Sequence, residues 1–414
     1  MRLARICCLD LDTFFVSVER LLDPSLCGRP VVVGGSKGGR GVVTSSSYEA
    51  RALGVRSGMS IREATRLAPR AVFLPGHHGE YTKYSTAARE IVERFSPVVV
   101  AASIDEQYVD FHGCESLYRR AEDVDDDATI LRVTRAMTQA IADELGLPSS
   151  AGVATSRSMA KVACGLAKPR GVILVPAGAE EATLAPLPVR KLPGVGPVSE
   201  QRLHRAGIET LAQLVSAPDT LLRAIFGAYA TGLRRDARGE GGAELGRERP
   251  AFREHDPYGE RLGSISNERT FAERSAADTE SRLCGLSERV CARARSRGVR
   301  AGRVTLRLRY ADFDTITRSR TITPTSEDVE VHRVVLDLYR RARTRPLPVR
   351  LVGVALSKLE LDAPQLELPP FDAGDRRGRT VDLVRDKFGY DAVHLATTLS
   401  GEPRTQKRST GPRA

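Results

Sequence analysis

Two acidic residues, Asp105 and Glu106, stand side by side in the stretch SIDEQYVDF, residues 103–111, between apolar runs. The flanking residues predict two β-strands separated by a short break. Burying one unpaired carboxylate costs roughly several kcal/mol, so adjacent acids in this position need either solvent or a cation. At a tight hairpin turn the alternation of strand side chains fails, and both carboxylates can reach one point.

A third carboxylate, Asp10, ends the strand predicted for ARICCLD, residues 4–10. Three acids at the strand ends of one sheet predict a site for hard divalent cations, because Mg²⁺ binds carboxylate oxygens together with substrate phosphates. Two such ions about 3.5–4 Å apart activate an attacking hydroxyl and stabilise a leaving oxygen. The pair Asp105–Glu106 alone leaves a second interpretation open, namely a solvated turn with two surface acids.

The elements that must position these acids alternate between strand and helix up to about residue 175, which predicts an α/β or α+β first half. A Gly-rich stretch, GGSKGGRG at 34–41, lacks the spacing of a phosphate-binding loop, and we interpret it as a hairpin turn. The pattern predicts strands at 30–35, 41–47 and 148–154, and helices at 48–68 (broken at 55–60), 80–95, 128–145 and 156–167.

The second half begins with mostly helical residues, 176–235, and continues into a polar segment rich in Gly and charge that predicts a linker. The strand GRVTLRLRY, 302–310, alternates strictly and places Val304, Leu306 and Leu308 on one face. Helices are predicted at 273–297 and 327–343, which makes a separate α+β module. From residue 400 the polar tail is predicted to be disordered.

The composition is that of a soluble globular protein: 414 residues, 41% hydrophobic and 28% charged, which suggests two to four domains. A net charge of +11 favours a polyanionic partner, although a generically basic protein remains the alternative. We see neither a membrane helix nor a signal peptide. Seven cysteines without a CxxC motif predict reduced cytoplasmic thiols and no zinc site.

Four motifs occur in order: LDLDTFFVSVE (9–19), VVTSSSYEARALGVRSGM (42–59), SIDEQYVD (103–110) and AGVATSRSMAKVACGLAKPRG (151–171). With them, residues 4–365 closely resemble the Y-family, lesion-bypass DNA polymerases, nearest to the bacterial DNA polymerase IV type. The resemblance implies an α+β multidomain right-hand polymerase. Its implied parts are a ferredoxin-like palm (1–13 and 77–175), small fingers (14–76), a helical thumb with a helix–hairpin–helix (176–236), a linker (237–262), an α+β little finger (263–362) and a C-terminal tail (363–414).

The resemblance implies that Asp10, Asp105 and Glu106 are catalytic and hold two Mg²⁺ ions. The carbonyl of Leu11 would contact the ion on the nucleotide side. Phosphoryl transfer needs metal ions, cations and alignment rather than covalent work by the protein, so the chemistry agrees. The second acid of the first motif, Asp12, is interpreted as structural.

The resemblance further implies which residues bind the incoming dNTP. Ser45, Tyr48, Arg51 and Lys168 would contact its triphosphate, and Phe15 would be the steric gate that excludes a 2′-OH. Tyr48 and Arg51 are three apart, which places them on one helix face. Taken singly, Arg51 or Lys168 would more often be a surface cation, and Phe15 would more often be a core residue.

Two regions are predicted to hold primer–template DNA. Gly194 and Gly196 in LPGVGP let the backbone approach a phosphate at a helix N-terminus. Arg307 and Arg309 belong to a segment, 281–310, with nine Arg and one Glu, and such cations give affinity without reading sequence. The alternatives are an ordinary helix–helix turn and a solvated Arg-rich face.

A stretch near the C-terminus, QLELPPF at 365–371, resembles the short motif by which bacterial polymerases dock on the sliding clamp. Its contact residues would be Gln365, Leu366, Leu368 and Phe371, although two prolines separate the last two. Residues 381–395 form an amphipathic segment to which the sequence assigns no role.

The resemblance implies a template-directed, error-prone translesion DNA polymerase without proofreading, acting as a monomer. Two alternatives are a non-catalytic scaffold of a mutagenic complex, which would lack the carboxylates, and a nucleotidyl cyclase, which would leave Tyr48 and Arg51 unexplained. The chain departs from the family at Gln107, where a small residue is usual, and in its long linker.

Overall fold

The computed structural model describes residues 4–242, 245, 263–274, 276–361 and 373–394. The chain separates into two compact units, Met1–Glu248 and Arg249–Ala414, called here the first and the second unit. The predicted clamp motif at 365–371 and the tail from residue 400 lie outside the described residues. Within the described ranges, no helix is both long and apolar enough to cross a membrane.

The first unit contains eight described strands and twelve described α-helices. The strands are β1 (Ile6–Leu11), β2 (Val31–Val33), β3 (Ser45–Ser46), β4 (Val72–Leu74), β5 (Val99–Ala101), β6 (Glu106–Asp110), β7 (Ser149–Ala154) and β8 (Val172–Leu174). The helices are α1 (Phe14–Leu22), α2 (Tyr48–Ala52), α3 (Ile61–Leu67), α4 (His78–Glu93), α5 (Glu115–Tyr118), α6 (Asp126–Leu145), α7 (Arg157–Ala167), α8 (Glu180–Leu184), α9 (Pro197–Arg205), α10 (Leu211–Ser216), α11 (Asp219–Phe226) and α12 (Ala230–Ala237).

The larger sheet of this unit has the strand order β5-β6-β1-β7-β8, with β1 antiparallel to both of its neighbours. Side chains alternate between the two faces. Leu9 and Leu11 pack into the core that includes Ile130 and Met137 of α6. Ile6 and Cys8 pack on the opposite face against α7. Asp10 follows the same alternation and therefore lies on the α7 face.

A smaller sheet, in the order β3-β2-β4, covers residues 31–74, with β2 antiparallel to β3 and parallel to β4. The predicted break in the helical region is confirmed, because α2 ends at Ala52 and α3 begins at Ile61. Both helices start at a serine cap: Ser47 accepts from the Ala50 N–H and Ser60 from the Glu63 N–H, each at 3.2 Å.

Five short helices, α8 to α12, follow the larger sheet, as the helical pattern of 176–235 predicts. They share one core with α7, to which Leu203, Leu211, Leu222 and Leu233 contribute. A reciprocal capping box between Thr210 and Gln213 begins α10. This part of the chain therefore carries no sheet of its own and packs against the α7 face.

The second unit is built around a four-stranded antiparallel sheet in the order β11-β10-β12-β9. The alternation predicted for β10 is confirmed, since Val304, Leu306 and Leu308 are fully buried while Arg303 and Arg307 are exposed. Its elements are β9 (Ser264–Arg274), α13 (Ala276–Ser296), β10 (Val299–Tyr310), β11 (Thr315–Thr325), α14 (Asp328–Ala342), β12 (Val349–Leu361) and α15 (Ala373–Phe388).

The C-terminal helix α15 is attached to the second unit by a buried ionic cluster. Arg385 donates to Glu288 at 2.8 Å, with side chains 4% and 0% exposed. Arg295, also 4% exposed, bridges Asp328 at 2.9 Å and Asp382 at 2.6 Å. Because breaking a buried pair leaves an uncompensated charge, this cluster holds α15 against α13.

Candidate active site

The three predicted carboxylates converge at one edge of the larger sheet. Asp10, near the end of β1, is the register partner of Glu106, the first residue of β6. Asp105 precedes it on the turn from β5, and its carbonyl accepts from the Leu11 N–H at 2.9 Å. The predicted hairpin turn is confirmed by the Ala102 N–H, which donates to the Glu106 carbonyl at 2.9 Å.

Ser103 stabilises this turn through hydrogen bonds of its hydroxyl group. Its hydroxyl binds the carboxylate of Asp105 and accepts from the Glu106 N–H at 3.1 Å. Asp105 is thus held on a short, hydrogen-bonded turn, directly before Glu106 begins β6.

Two lysines neutralise the carboxylates from the α7 side. Lys168 Nζ binds Asp10 Oδ1 and lies 3.8 Å from Asp12 Oδ1, while Lys161 Nζ binds Glu106 Oε2. Lys168 is a predicted site residue, whereas Lys161 was missed. Lys161 lies within α7 and Lys168 is the extended residue directly after that helix, and only the presence of both lysines in one conspicuous motif could have pointed to Lys161.

The electrostatics of this group reflect burial and mutual charge. Burial raises the pKa of Asp10, and the neighbouring Asp105 and Glu106 add to this, while Lys168 opposes it. Burial alone would lower the pKa of Lys168, but the charge and hydrogen bond of Asp10 outweigh it, so its pKa is raised. The same balance with Glu106 raises the pKa of Lys161. The cluster therefore requires cations.

The donor atoms at this edge suit a hard divalent cation. The carboxylates of Asp10, Asp105 and Glu106 and the carbonyl of Leu11 are all oxygen ligands, which Mg²⁺ prefers. Within the described ranges, no three His, Cys, Asp or Glu side chains are close enough together to hold an ion in the present arrangement. Asp10 and Glu106 are instead engaged by lysine ammonium groups, so ion binding would require their side chains to turn.

Asp12 anchors the edge of the site and is not part of the carboxylate cluster. It is 1% exposed and accepts from the Ser150 hydroxyl and the Arg170 N–H, both at 2.8 Å. The Tyr48 hydroxyl also donates to it at 3.3 Å. Burial and Asp12 raise the pKa of Tyr48 to about 12, so Tyr48 remains a donor at neutral pH.

Helix α2 carries two of the predicted nucleotide-binding residues, Tyr48 and Arg51, and Tyr48 reaches Asp12 at the edge of the site. The guanidinium of Arg51 lies 5.1 Å from the centre of the Tyr48 ring, and its Nε donates to the Ser46 carbonyl at 3.1 Å. Ser45 lies on β3 and is 7% exposed. Tyr48 and Lys168 are thus joined to the acidic edge through Asp12, while Ser45 and Arg51 make no contact with the acids among the described contacts.

The predicted steric gate, Phe15, is a half-buried side chain in the first turn of α1. Its ring stacks on Tyr81 of α4, with centroids 4.2 Å apart and planes 10° apart. The Tyr81 hydroxyl is bound by the buried carboxylate of Glu19. Sequence reasoning missed Tyr81 and Glu19, because their contact with α1 spans about sixty residues and leaves no local pattern.

The two predicted DNA-binding glycines lie at the entry to α9, and the preceding residue, Pro193, lines a pocket together with Lys161. Gly194 has φ +92°, and a Cβ there would lie 2.8 Å from the Tyr229 hydroxyl, so the position requires glycine. Gly196 is the residue immediately before α9. The turn therefore presents backbone N–H groups at a helix N-terminus, as predicted for a helix–hairpin–helix.

The predicted DNA-binding arginines of the second unit lie on the solvent face of its sheet. Arg307 forms an ion pair with Glu268 at 3.0 Å, and Arg309 Nε donates to the Thr315 hydroxyl at 2.8 Å. The Glu268 side chain lies over Gly353, where a Cβ would come within 2.6 Å of it. The face therefore carries arginine, glutamate and threonine side chains.

Family models match most of the chain. The impB/mucB/samB family matches residues 9–165, the IMS family HHH motif matches 178–208, and the impB/mucB/samB C-terminal domain matches 263–368. The "DNA polymerase IV" of Dehalococcoides mccartyi strain CBDB1 is 36% identical over 403 residues, covering 96% of this chain and 98% of the relative. The chain belongs to the impB/mucB/samB family. The family resemblance stated from the motifs is therefore confirmed.

Further relatives and solved structures agree with this assignment. The "DNA polymerase IV" of Alkalilimnicola ehrlichii is 37% identical over 353 residues, covering 85% of this chain and 94% of the relative. The "Y-family DNA polymerase chimera Dbh-Dpo4(243-245)-Dbh" has a TM-score of 0.73 at 24% identity, covering 86% of this chain and 99% of that one. The "Insertion ternary complex of Dbh DNA polymerase" gives 0.59 over the same coverage. The predicted right-hand, α+β multidomain fold is confirmed.

Proposed function

We infer that this chain is a template-directed DNA polymerase of the error-prone translesion class, which adds deoxynucleotides to the 3′ end of a primer. The observation that carries this inference is the convergence of Asp10, Asp105 and Glu106 at one sheet edge, beside Lys168. A non-catalytic scaffold is not favoured, because all three acids are present and sit together. A nucleotidyl cyclase would leave the turn at Gly194 and the second unit without a role.

Members of this family depend on divalent metal ions, and we propose that two Mg²⁺ ions serve here. Asp10 and Asp105 would hold both ions, Glu106 the ion on the primer side, and the Leu11 carbonyl the ion on the nucleotide side. When bound, such ions activate the primer hydroxyl and neutralise the leaving phosphate. The ion pairs Lys168–Asp10 and Lys161–Glu106 support this assignment, because they show that both carboxylates bind a cation in the structure.

The chain's own side chains align the nucleotide. Lys168, released from Asp10, would donate to the triphosphate together with Ser45, Tyr48 and Arg51. Fixed cations and hydroxyl donors lower the barrier by orienting the triphosphate and balancing its charge. Phe15, held against Tyr81, would lie under the sugar and leave no room for a 2′-OH.

This function requires DNA and dNTP as partners. We propose that DNA binding is independent of the DNA sequence. The turn at Gly194 and Gly196 would bind a backbone phosphate, and Arg307 and Arg309 would contact further phosphates of the duplex. In domain terms, we propose palm, fingers, thumb and little finger with the bounds predicted above.

The remaining assignments rest on the family resemblance. Residues 365–371, with Gln365, Leu366, Leu368 and Phe371, would dock on a sliding clamp. The enzyme would act as a cytoplasmic monomer without proofreading, so clamp binding would supply the processivity that the polymerase alone lacks.

Primer extension tests the proposed function. With Mg²⁺ and one dNTP at a time, the wild type should add only the nucleotide that the template codes, on an undamaged template and past a lesion. A protein that binds primer–template yet never extends it would contradict the polymerase assignment and favour the scaffold. Chelation of the metal, followed by restoration with Mg²⁺, is the control for loss of activity by unfolding.

A further inference from the structure

A cavity of about 720 Å³ lies between α13 and α15 of the second unit. Its lining contains five arginines and two aspartates. Arg289, Arg293 and Arg295 come from α13, while Arg385 and Asp382 come from α15. The cavity lies on the helical side of the sheet, so it is separate from the basic face that carries Arg307.

Two of the lining residues contain buried polar atoms that the protein leaves without a hydrogen bond. Arg385 is 5% exposed. Its Nε and Nη2 donate to the Val393 carbonyl and to Glu288, whereas Nη1 has no hydrogen-bond partner and lies 3.9 Å from Asp382 Oδ1. The Tyr390 hydroxyl is also buried and without a partner. A buried donor without an acceptor destabilises the fold, so these atoms call for an acceptor.

The cations around these donors are only partly neutralised. Asp382 is already engaged by Arg295, through contacts of 2.6 and 3.0 Å. Neither Arg289 nor Arg293 forms an ion pair with a carboxylate of the described residues. Arg289 and Arg385 both lie over the Tyr390 ring, 4.9 and 4.4 Å from its centre. Asp386 on the rim offsets only one of these charges.

We propose that this cavity is a second, non-catalytic site that binds a phosphorylated ligand of nucleotide size. Arginine forks match phosphate oxygens in geometry and charge. The unmet donors require oxygen acceptors, and the volume falls within the range of about 300–1,000 Å³ that is usual for small organic ligands. Ala292 and Leu383 supply an apolar wall for the rest of such a molecule. The phosphate could belong to a free nucleotide or to the terminal nucleotide of a DNA strand.

A single reporter can test this site, because the chain contains no Trp. Leu383 lines the cavity and is 70% exposed, so the substitution Leu383→Trp places a fluorescent reporter there in the full-length protein. Its fluorescence is followed without divalent ions during titration with inorganic phosphate, dATP or a 5′-phosphorylated tetranucleotide. We expect a saturable change, at least about tenfold weaker in the double variant Arg289→Gln/Arg293→Gln, since a tenfold change is about 1.4 kcal/mol.

The matched control removes two exposed arginines from another helix of the same unit. Arg340 and Arg341 of α14, 65% and 69% exposed in their side chains, are changed together to Gln. This variant should leave the titration unchanged. A response to dATP alone identifies a free nucleotide as the ligand, and a response to the tetranucleotide alone identifies a strand end.

Three results would overturn the proposal. These are no saturable change with any probe, a change that Arg289→Gln/Arg293→Gln leaves intact, or equal weakening by the α14 control. Ligand-induced shifts in melting temperature, measured on the protein without the Trp reporter, provide the same comparison. They keep the proposal testable if Leu383→Trp disturbs the fold, because Arg289 and Arg293 are exposed and their replacement leaves the core intact.

Discussion

At the scale of single residues, lysines neutralise two of the carboxylates at the acidic edge when no substrate is bound. Asp10 and Glu106 each hold a lysine from the α7 side, and both lysines have a raised pKa. If the proposed Mg²⁺ ions bind at this edge, they would displace Lys168 and Lys161, which would then be available for phosphate groups. In this proposal the same carboxylate oxygens would bind lysine first and metal ions afterwards.

Phe15 is expected to select the sugar of the incoming nucleotide. Phe15→Ala removes the ring that stacks on Tyr81 and opens space beneath the sugar. We expect ribonucleotide discrimination, measured as the ratio of kcat/KM for dNTP and rNTP, to fall at least about tenfold, which is about 1.4 kcal/mol. Phe14→Leu is the control, because Phe14 is buried and its replacement should change stability alone. Unchanged discrimination in Phe15→Ala would remove Phe15 from this role.

Gly194 is expected to be required for tight binding of primer–template DNA. In Gly194→Ala, a side chain must accept a φ of +92° and displace Tyr229, at a cost of about 1–2 kcal/mol or more. Affinity for primer–template, measured by fluorescence anisotropy, should fall about tenfold. Gly232→Ala in α12, whose Cβ would meet Tyr229 only at 3.9 Å, should bind as the wild type does. Equal affinity in both variants would contradict the assigned turn.

At the scale of elements, the alternation of side chains predicted which face of a strand is buried. The period of two in β10 placed Val304, Leu306 and Leu308 in the core correctly. The two acids at 105–106 likewise predicted a turn. Contacts between distant segments could not be predicted this way, since the pairing of Lys161 with Glu106 and of Tyr81 with Phe15 depends on how helices pack on the sheet. The sequence also did not single out the strands at 264–274, 315–325 and 349–361.

The solvent face of the second sheet is expected to contribute salt-dependent DNA binding. Arg307→Ala should lower affinity for primer–template at all sequences and reduce the slope of log K against log salt by about one. Arg341→Ala, which removes a more exposed arginine from the helical side, should leave that slope unchanged. The measurement is anisotropy over a series of salt concentrations. An unchanged slope in Arg307→Ala would show that Arg307 does not contact a phosphate of the bound duplex.

At the scale of the whole molecule, the C-terminal helix is joined to the second unit by charges instead of an apolar face. The sequence showed an amphipathic segment at 381–395 but no role for it, because the partners of Arg385 and Asp382 lie about ninety residues away on α13. The fold class, by contrast, was predictable throughout, since four ordered motifs specify a family whose members share it.

Breaking this cluster is expected to loosen α15. Arg385→Met removes the guanidinium that pairs with the buried Glu288 carboxylate, and the loss of one partner of a buried pair costs about 3–5 kcal/mol. Hydrogen–deuterium exchange of residues 373–394 should accelerate strongly, while the surface change Arg340→Met should have little effect. Equal protection in Arg385→Met and wild type would show that the ion pair does not hold the helix.

The central claim is that the three acids at the sheet edge carry out phosphoryl transfer. Its most direct test is single-turnover nucleotide incorporation with Mg²⁺, comparing the wild type with Asp105→Asn/Glu106→Gln at equal occupancy of primer–template. We predict that DNA binding persists while incorporation falls by at least about a thousandfold, or about 4 kcal/mol. A double variant that incorporates nucleotides at the wild-type rate would contradict the account.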